Sequence, residues 1–210
     1  MIKKVDILGI QLDNYTVREA IMCVERYLSN NVLNTIESIS LQMLIDSETN
    51  PVLKEVMSSL DLAIIGEKEI IQAAGLESMQ RIRETEENDF YFEFFKRIER
   101  NKKSVFLLGD TQEKIDSLKA ELAEDYPKLI FAGEYAVETC VGDLEAVIND
   151  MNATTPDVII SVLPSPMQEQ FLYEHRDKMN ANIWYGIGGV PVHKKKHGVL
   201  ARLKRDRKSV

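Results

Sequence analysis

Cysteine is too scarce for a disulfide scaffold: a chain of 210 residues holds two, Cys23 and Cys140, far apart and in no CxxC pair. A Cys-based zinc site is not expected for the same reason, and free thiols fit reducing cytoplasm. Long apolar runs are missing too, and none approaches the roughly 20 residues that cross a bilayer. The opening stretch MIKKVDILGIQLDN has two lysines, but Asp6 and Gln11 interrupt it, so no secretory signal is expected. Histidine is rare, and His175, His193 and His197 show no metal-ligand spacing with carboxylates. Positive charge is in deficit, with a formal net charge of −8, which disfavours nucleic acid as a partner. What remains is ordinary globular composition, 44% hydrophobic and 29% charged, in a chain long enough to bury a core.

The charge is unevenly spread. Residues 193–210, HKKKHGVLARLKRDRKSV, hold eight Lys/Arg against the single acid Asp206, a local charge of +7. The preceding 192 residues sum to −15. A basic tail on an acidic body suits an anionic lipid surface, where each nearby cation contributes roughly 1 kcal/mol. Val199, Leu200 and Leu203 form one apolar stripe if the tail is helical. The competing reading is a solvated terminus. The expected organisation is one α/β domain over residues 1–192 and a basic tail over 193–210, with any subdivision near 77–89.

Local patterns set the fold class. Short apolar runs on either side of Gly9 suggest a hairpin. Thr16 with Glu19 makes a capping box before a helix carrying Ala20, Ile21, Val24 and Leu28. Val32 to Ser40 reads as a strand, Leu41 to Ile45 and Pro51 to Ser59 as helices, and Leu62 to Ile65 as a buried strand stopped by Gly66. A helix start follows at Glu67. Residues 77–89 are the most polar internal stretch and read as a loop or linker. Phe90 to Arg100 is a helix whose aromatic face suits a core. Beyond Ser104, strands are expected over Val105 to Leu108, Leu129 to Ala132 (ending at Gly133), Val158 to Leu163 and Ile183 to Tyr185. They alternate with helices over Gln112 to Glu124, Asp143 to Met151 and Pro166 to Arg176. This rhythm predicts a three-layer α/β sandwich with a mainly parallel sheet and an N-terminal β-hairpin. Ligands in such sheets sit beyond the carboxyl ends of the strands, so the turns at 66, 109, 133, 163–168 and 186–189 are the places to search.

Those turns carry little generic chemistry. Gly109-Asp110-Thr111 opens a helix whose backbone NH groups attract phosphate, but Asp110 repels one unless it faces a ribose hydroxyl. No GxGxxG, Walker A or GxSxG sequence occurs. Leu163-Pro164-Ser165-Pro166-Met167-Gln168-Glu169 is the least generic segment. Two prolines stiffen a strand exit, and Gln168 and Glu169 fall in a first helical turn, either as capping groups or as partners for sugar hydroxyls.

Four blocks, in order, resemble the WecG/TagA/CpsF family of bacterial glycosyltransferases. Asn50-Pro51 through Asp61-Leu62-Ala63-Ile64-Ile65 is similar to the family's DPELREALNSADLVLPDG run. Val105-Phe106-Leu107-Leu108-Gly109 with Asp125-Tyr126-Pro127 resembles its FLLGG and YP stretch. Pro164-Ser165-Pro166-Met167-Gln168-Glu169 resembles GAPKQE, and Tyr185-Gly186-Ile187-Gly188-Gly189 resembles GVGGAFD. The resemblance implies inverting transfer of an N-acetylhexosamine, ManNAc-like, from a UDP-sugar donor to a polyprenyl-diphosphate-linked acceptor at the cytoplasmic membrane face. It implies a Rossmann-like α/β core, no metal and no cofactor. Placement at strand exits, taken with the resemblance, sets Glu67, Ser38 and Gln168 at the reacting end, and Gly109, Asp110, Ser165, Gln168, Glu169, Gly188 and Gly189 at the nucleotide end. Candidate protein partners are a second copy of the chain or a paralogous glycosyltransferase.

The sequence departs from the family pattern at a critical point. The catalytic aspartate of the family's PDG aligns with Gly66, and Glu67 stands where its last glycine does. Ser38 keeps the hydroxyl of the family's TLN, but the asparagine is lost. The ERVTGSDL block is reduced to Glu84 through Phe90, with Asp89 kept, and most of the family's C-terminal appendage is not expected here. One reading makes Glu67 the base from the neighbouring position. The other is a non-catalytic paralogue that binds a UDP-sugar or serves an active transferase as a partner subunit.

Overall fold

A computed structural model describes residues 3–76, 78–140 and 144–190. The basic tail expected over 193–210 lies outside the described residues, as does Asp143, the expected start of one helix.

Strands β1 (Lys4–Ile7) and β2 (Ile10–Asp13) form the expected antiparallel hairpin. Leu8 and Gly9 both adopt positive φ at its tip, which matches the right-handed twist of paired strands. Helix α1 (Val17–Tyr27) starts on the capping box: Thr16 Oγ1 accepts from Glu19 N at 3.3 Å, and Glu19 Oε2 accepts from Thr16 N at 3.0 Å. Those hydrogen bonds from Thr16, its backbone NH first, hold the Glu19 carboxyl below the usual range. Thr16→Ala is therefore expected to cost about 1 kcal/mol, or ~2–4 °C in Tm, in a thermal melt followed by circular dichroism.

The chain continues through β3 (Asn34–Ile39), α2 (Leu41–Asp46), α3 (Pro51–Ser59), β4 (Leu62–Ile65), α4 (Lys68–Ala73), α5 (Met79–Glu86) and α6 (Asp89–Arg100). It ends with β5 (Ser104–Gly109), α7 (Gln112–Asp125), β6 (Ile130–Ala136), α8 (Glu145–Ala153), β7 (Val158–Ser161), α9 (Met167–His175) and β8 (Ile183–Gly186). One eight-stranded sheet runs β1-β2-β4-β3-β8-β7-β5-β6, and every pairing but β1 with β2 is parallel. Helices α1, α6 and α7 cover one face; α2, α3, α4, α8 and α9 cover the other. The result is the three-layer Rossmann-like sandwich.

Two expectations are corrected. Residues 79–86 are not a loop: Ser78 accepts from Arg81 N and caps α5, whose Arg81 and Glu84 are buried. Nor does β6 end at Gly133. It runs on to Ala136, and Gly133 is there because the Phe106 ring leaves no room, a Cβ falling 2.9 Å from Cε2.

Register aligns the carboxyl ends of the central strands. Ser38 pairs with Ile64, Glu37 with Gly186, Gly186 with Ser161, and Ser161 with Leu108. The exits of β4, β3, β8, β7 and β5 thus form one continuous rim.

Candidate functional site

Alternation along β3 sends Ser38 toward the α1/α6 face and Glu37 toward the α3/α9 face. On the first face Ser38 Oγ and Tyr185 Oη lie 3.2 Å apart. Burial pushes the Tyr185 phenol up, so it keeps its proton and can serve as a donor. Ser38, Gly66, Arg81, Tyr185 and Val190 share a cavity of about 40 Å³ between the strand exits and α5. That volume suits water or one small group, whereas drug-sized ligands occupy several hundred Å³.

Arg81 is the cation on the cavity wall among the described residues, and sequence reading passed over it. It is 5% exposed. Its Nη1 pairs with Glu84 Oε2 at 3.1 Å, its Nε donates to Asn14 Oδ1 at 3.3 Å, and Glu84 Oε2 also accepts from Val17 N at 3.2 Å. This network ties α5 to the start of α1 and holds a guanidinium at the rim.

Glu67 stands just outside. Its Oε2 accepts from Leu41 N at 2.9 Å, at the first turn of α2, and it is not among the cavity-lining residues. Gly66 does line the cavity, and it has no space for a side chain: a Cβ would lie 2.7 Å from Val190 Cγ2 and 2.8 Å from Ile39 O. Position 66 is thus closed to a side chain by Val190 and the β3 backbone.

The opposite face gathers Ser165, Gln168, Glu169 and Gly188. Ser165 Oγ donates to Glu169 Oε2 at 2.8 Å, Gln168 Nε2 donates to Glu169 Oε1 at 3.1 Å, and Gly188 N donates to Gln168 Oε1 at 3.2 Å. Gln168 and Glu169 are fully buried. They bind the rim segments to one another, and Gln168 approaches the rim from the face opposite Ser38. Gly189 packs against the Met43 side chain. Gly109 and Asp110 stand at the β5 exit, three strands from Ser38. There Asp110 Oδ2 pairs with Lys114 Nζ at 2.6 Å, and Glu138 Oε1 accepts from Gln112 N at 2.7 Å. The start of α7 already holds a carboxylate, so it suits a sugar hydroxyl better than a phosphate.

Sequence reading also missed Glu37. Its signal was available: a carboxylate between Ile36 and Ile39, in a parallel strand covered on both faces, has to find a partner.

A model of the glycosyl transferase WecG/TagA/CpsF family matches residues 5–191. Similar curated proteins are the N-acetylglucosaminyldiphosphoundecaprenol N-acetyl-beta-D-mannosaminyltransferases of Staphylococcus aureus strains NCTC 8325 / PS 47, COL and MRSA252. Each is 22% identical over 188 residues, covering 89% of this chain and 73% of the relative.

Proposed function

The chain belongs to the WecG/TagA/CpsF family of glycosyl transferases, and from that premise we propose that it moves an N-acetylhexosamine, ManNAc-like, from a UDP-sugar to a polyprenyl-diphosphate-linked acceptor. The transfer is inverting and belongs to bacterial cell-surface polysaccharide synthesis. The observation that carries this reading is the family match across residues 5–191. The geometry supports it. The rim from the β5 exit to the β3 exit crosses three strand spacings, roughly 14 Å, about the length of an extended nucleotide sugar. Along it, Asp110 beside Gly109 faces the ribose hydroxyls. Ser165, Gln168, Glu169, Gly188 and Gly189 shape the middle, and Ser38 meets the sugar. Arg81 supplies positive charge where the diphosphate leaves. The small cavity takes only the acceptor hydroxyl and the group that removes its proton. Glu67 is that base, one residue beyond the lining residue Gly66.

No helix among the described residues is long and apolar enough to cross a membrane. In this reading the reaction takes place at the inner face of the cell membrane by peripheral contact. The eight basic residues of 193–210 supply attraction to anionic lipid.

A second reading has its own support. Gly66 replaces the family aspartate, and the Glu67 carboxylate is engaged at α2. A non-catalytic paralogue would bind the donor without turning it over. The two readings separate in one experiment: calorimetry with UDP, followed by UDP release in the presence of a UDP-N-acetylhexosamine and a lipid-diphosphate acceptor. Binding with release supports the transferase, and binding without release supports the donor-binding paralogue. Absence of UDP binding removes both of these.

A further inference from the structure

One buried carboxylate on the rim has no part in the proposed reaction. Glu37 is fully buried on β3, and Glu169, equally buried on α9, lies within its hydrogen-bonding reach. Glu37 Oε1 accepts from Trp184 Nε1 at 3.4 Å, while Oε2 has no donor. Glu169 is already supplied by Ser165 Oγ and Gln168 Nε2. The groups acting on the pair are Trp184 from β8, Ser165 from the turn before α9, Gln168 from α9, and the two carboxyls themselves. No cation is among them. Two ionised carboxylates in a dry site repel strongly, and one of them keeps a proton. Glu169, with two donors, is the charged member. Glu37, with a free oxygen, is the protonated one.

We propose that Glu37 is a positioning residue: it retains one proton, donates it to Glu169, and through Gln168 clamps the 186–190 turn that walls the cavity. The path is continuous. Glu169 holds Gln168 Nε2, Gln168 Oε1 holds Gly188 N, and two residues on, Val190 closes the space beside Gly66. Gly186 makes the approach possible, since a Cβ there would stand 2.7 Å from Gln168 Cδ and 2.9 Å from Glu37 Cγ. Burial, and then the Glu169 charge, push the Glu37 carboxyl well above the ordinary range, which agrees with the geometry. The clamp stands whatever the rim binds.

Glu37→Gln keeps the side chain's shape and replaces the shared proton with an amide donor. The folded wild type retains a proton that the unfolded chain loses above the ordinary carboxylate range. Its stability relative to the variant is therefore complete below that range and falls as pH rises through it. One retained proton corresponds to about tenfold in the folding constant per pH unit. Denaturant unfolding of both proteins from pH 5 upward should show the ratio of folding constants falling as pH rises, by that factor per unit for as long as the folded protein keeps the proton. A flat ratio overturns the shared proton. Glu37→Met likewise leaves no titrating group at that position and should give the same slope, so the test survives if the first variant does not fold. The clamp is read by amide exchange at Gly188. Glu37→Val should lower its protection at least tenfold while α7 amides keep theirs, and Glu37→Gln should restore it. Unchanged Gly188 protection in Glu37→Val overturns the clamp.

Discussion

Replacing Gly188 with alanine is expected to destabilise the protein by about 3 kcal/mol, lowering Tm by roughly 6–12 °C in a calorimetric scan. A Cβ at 188 would overlap the Leu163 carbonyl oxygen, and it would lie 2.6 Å from the Leu163 carbonyl carbon and 2.9 Å from that of Val162. These are backbone atoms at a strand exit, and they have little freedom to yield. Val162 N donates to Leu108 O at 2.8 Å, and Ile187 N donates to Ser161 O at 2.9 Å, so both sides of the contact are pinned to the sheet. Relief would mean pulling β8's exit away from β7's and breaking the Gly188–Gln168 hydrogen bond. Gly189→Ala is the comparison. Its Cβ would overlap Met43 Sδ and come within 3.3 Å of Cε, but these are atoms of an unbranched side chain, which yields at less cost than backbone. If both variants melt alike, the rim is less rigid than these contacts require.

The contrast also explains which parts of the molecule were legible in the sequence. Pro51–Ser59 and Leu62–Ile65 form a helix and a strand at their expected bounds, because a proline at the first helical position and an apolar run closed by glycine are local signals. The order of elements after Ser104 was equally plain, since period and punctuation agree along the chain. Arg81 and Glu84 were hidden for the opposite reason. A charged stretch reads as solvated, and only tertiary structure brings Asn14 and Val17 against it. Gly133 misled because its glycine answers a ring on the neighbouring strand rather than a turn. Of the candidate site, the 165–169 and 186–189 segments meet at one rim, as their placement after strands suggested. Which face each side chain takes was not visible until register fixed it. Ser38 and Gln168 have no sequence signal that would have set them on opposite sides of the sheet.

Under the transferase reading, Glu67→Gln should lower turnover by roughly 10²- to 10⁴-fold in a UDP-release assay with little change in Tm. The separation of the two effects is what gives the variant its meaning. A glutamine oxygen still accepts from Leu41 N, so the bond that the Glu67 carboxylate makes among the described residues survives, while the capacity to take a proton is gone. An acid at the preceding position is not an alternative base. Val190 and the Ile39 carbonyl occupy the space that any side chain at residue 66 would need, so restoring an aspartate there would force the 186–190 turn outward. A base at Glu67 has to release Leu41 N to reach the acceptor hydroxyl, and the exchange exposes the first turn of α2. Activity retained in Glu67→Gln removes Glu67 from the chemistry. Wild-type protein that binds a UDP-sugar without consuming it moves the chain to the second reading, in which Gly66 marks a fold kept for binding.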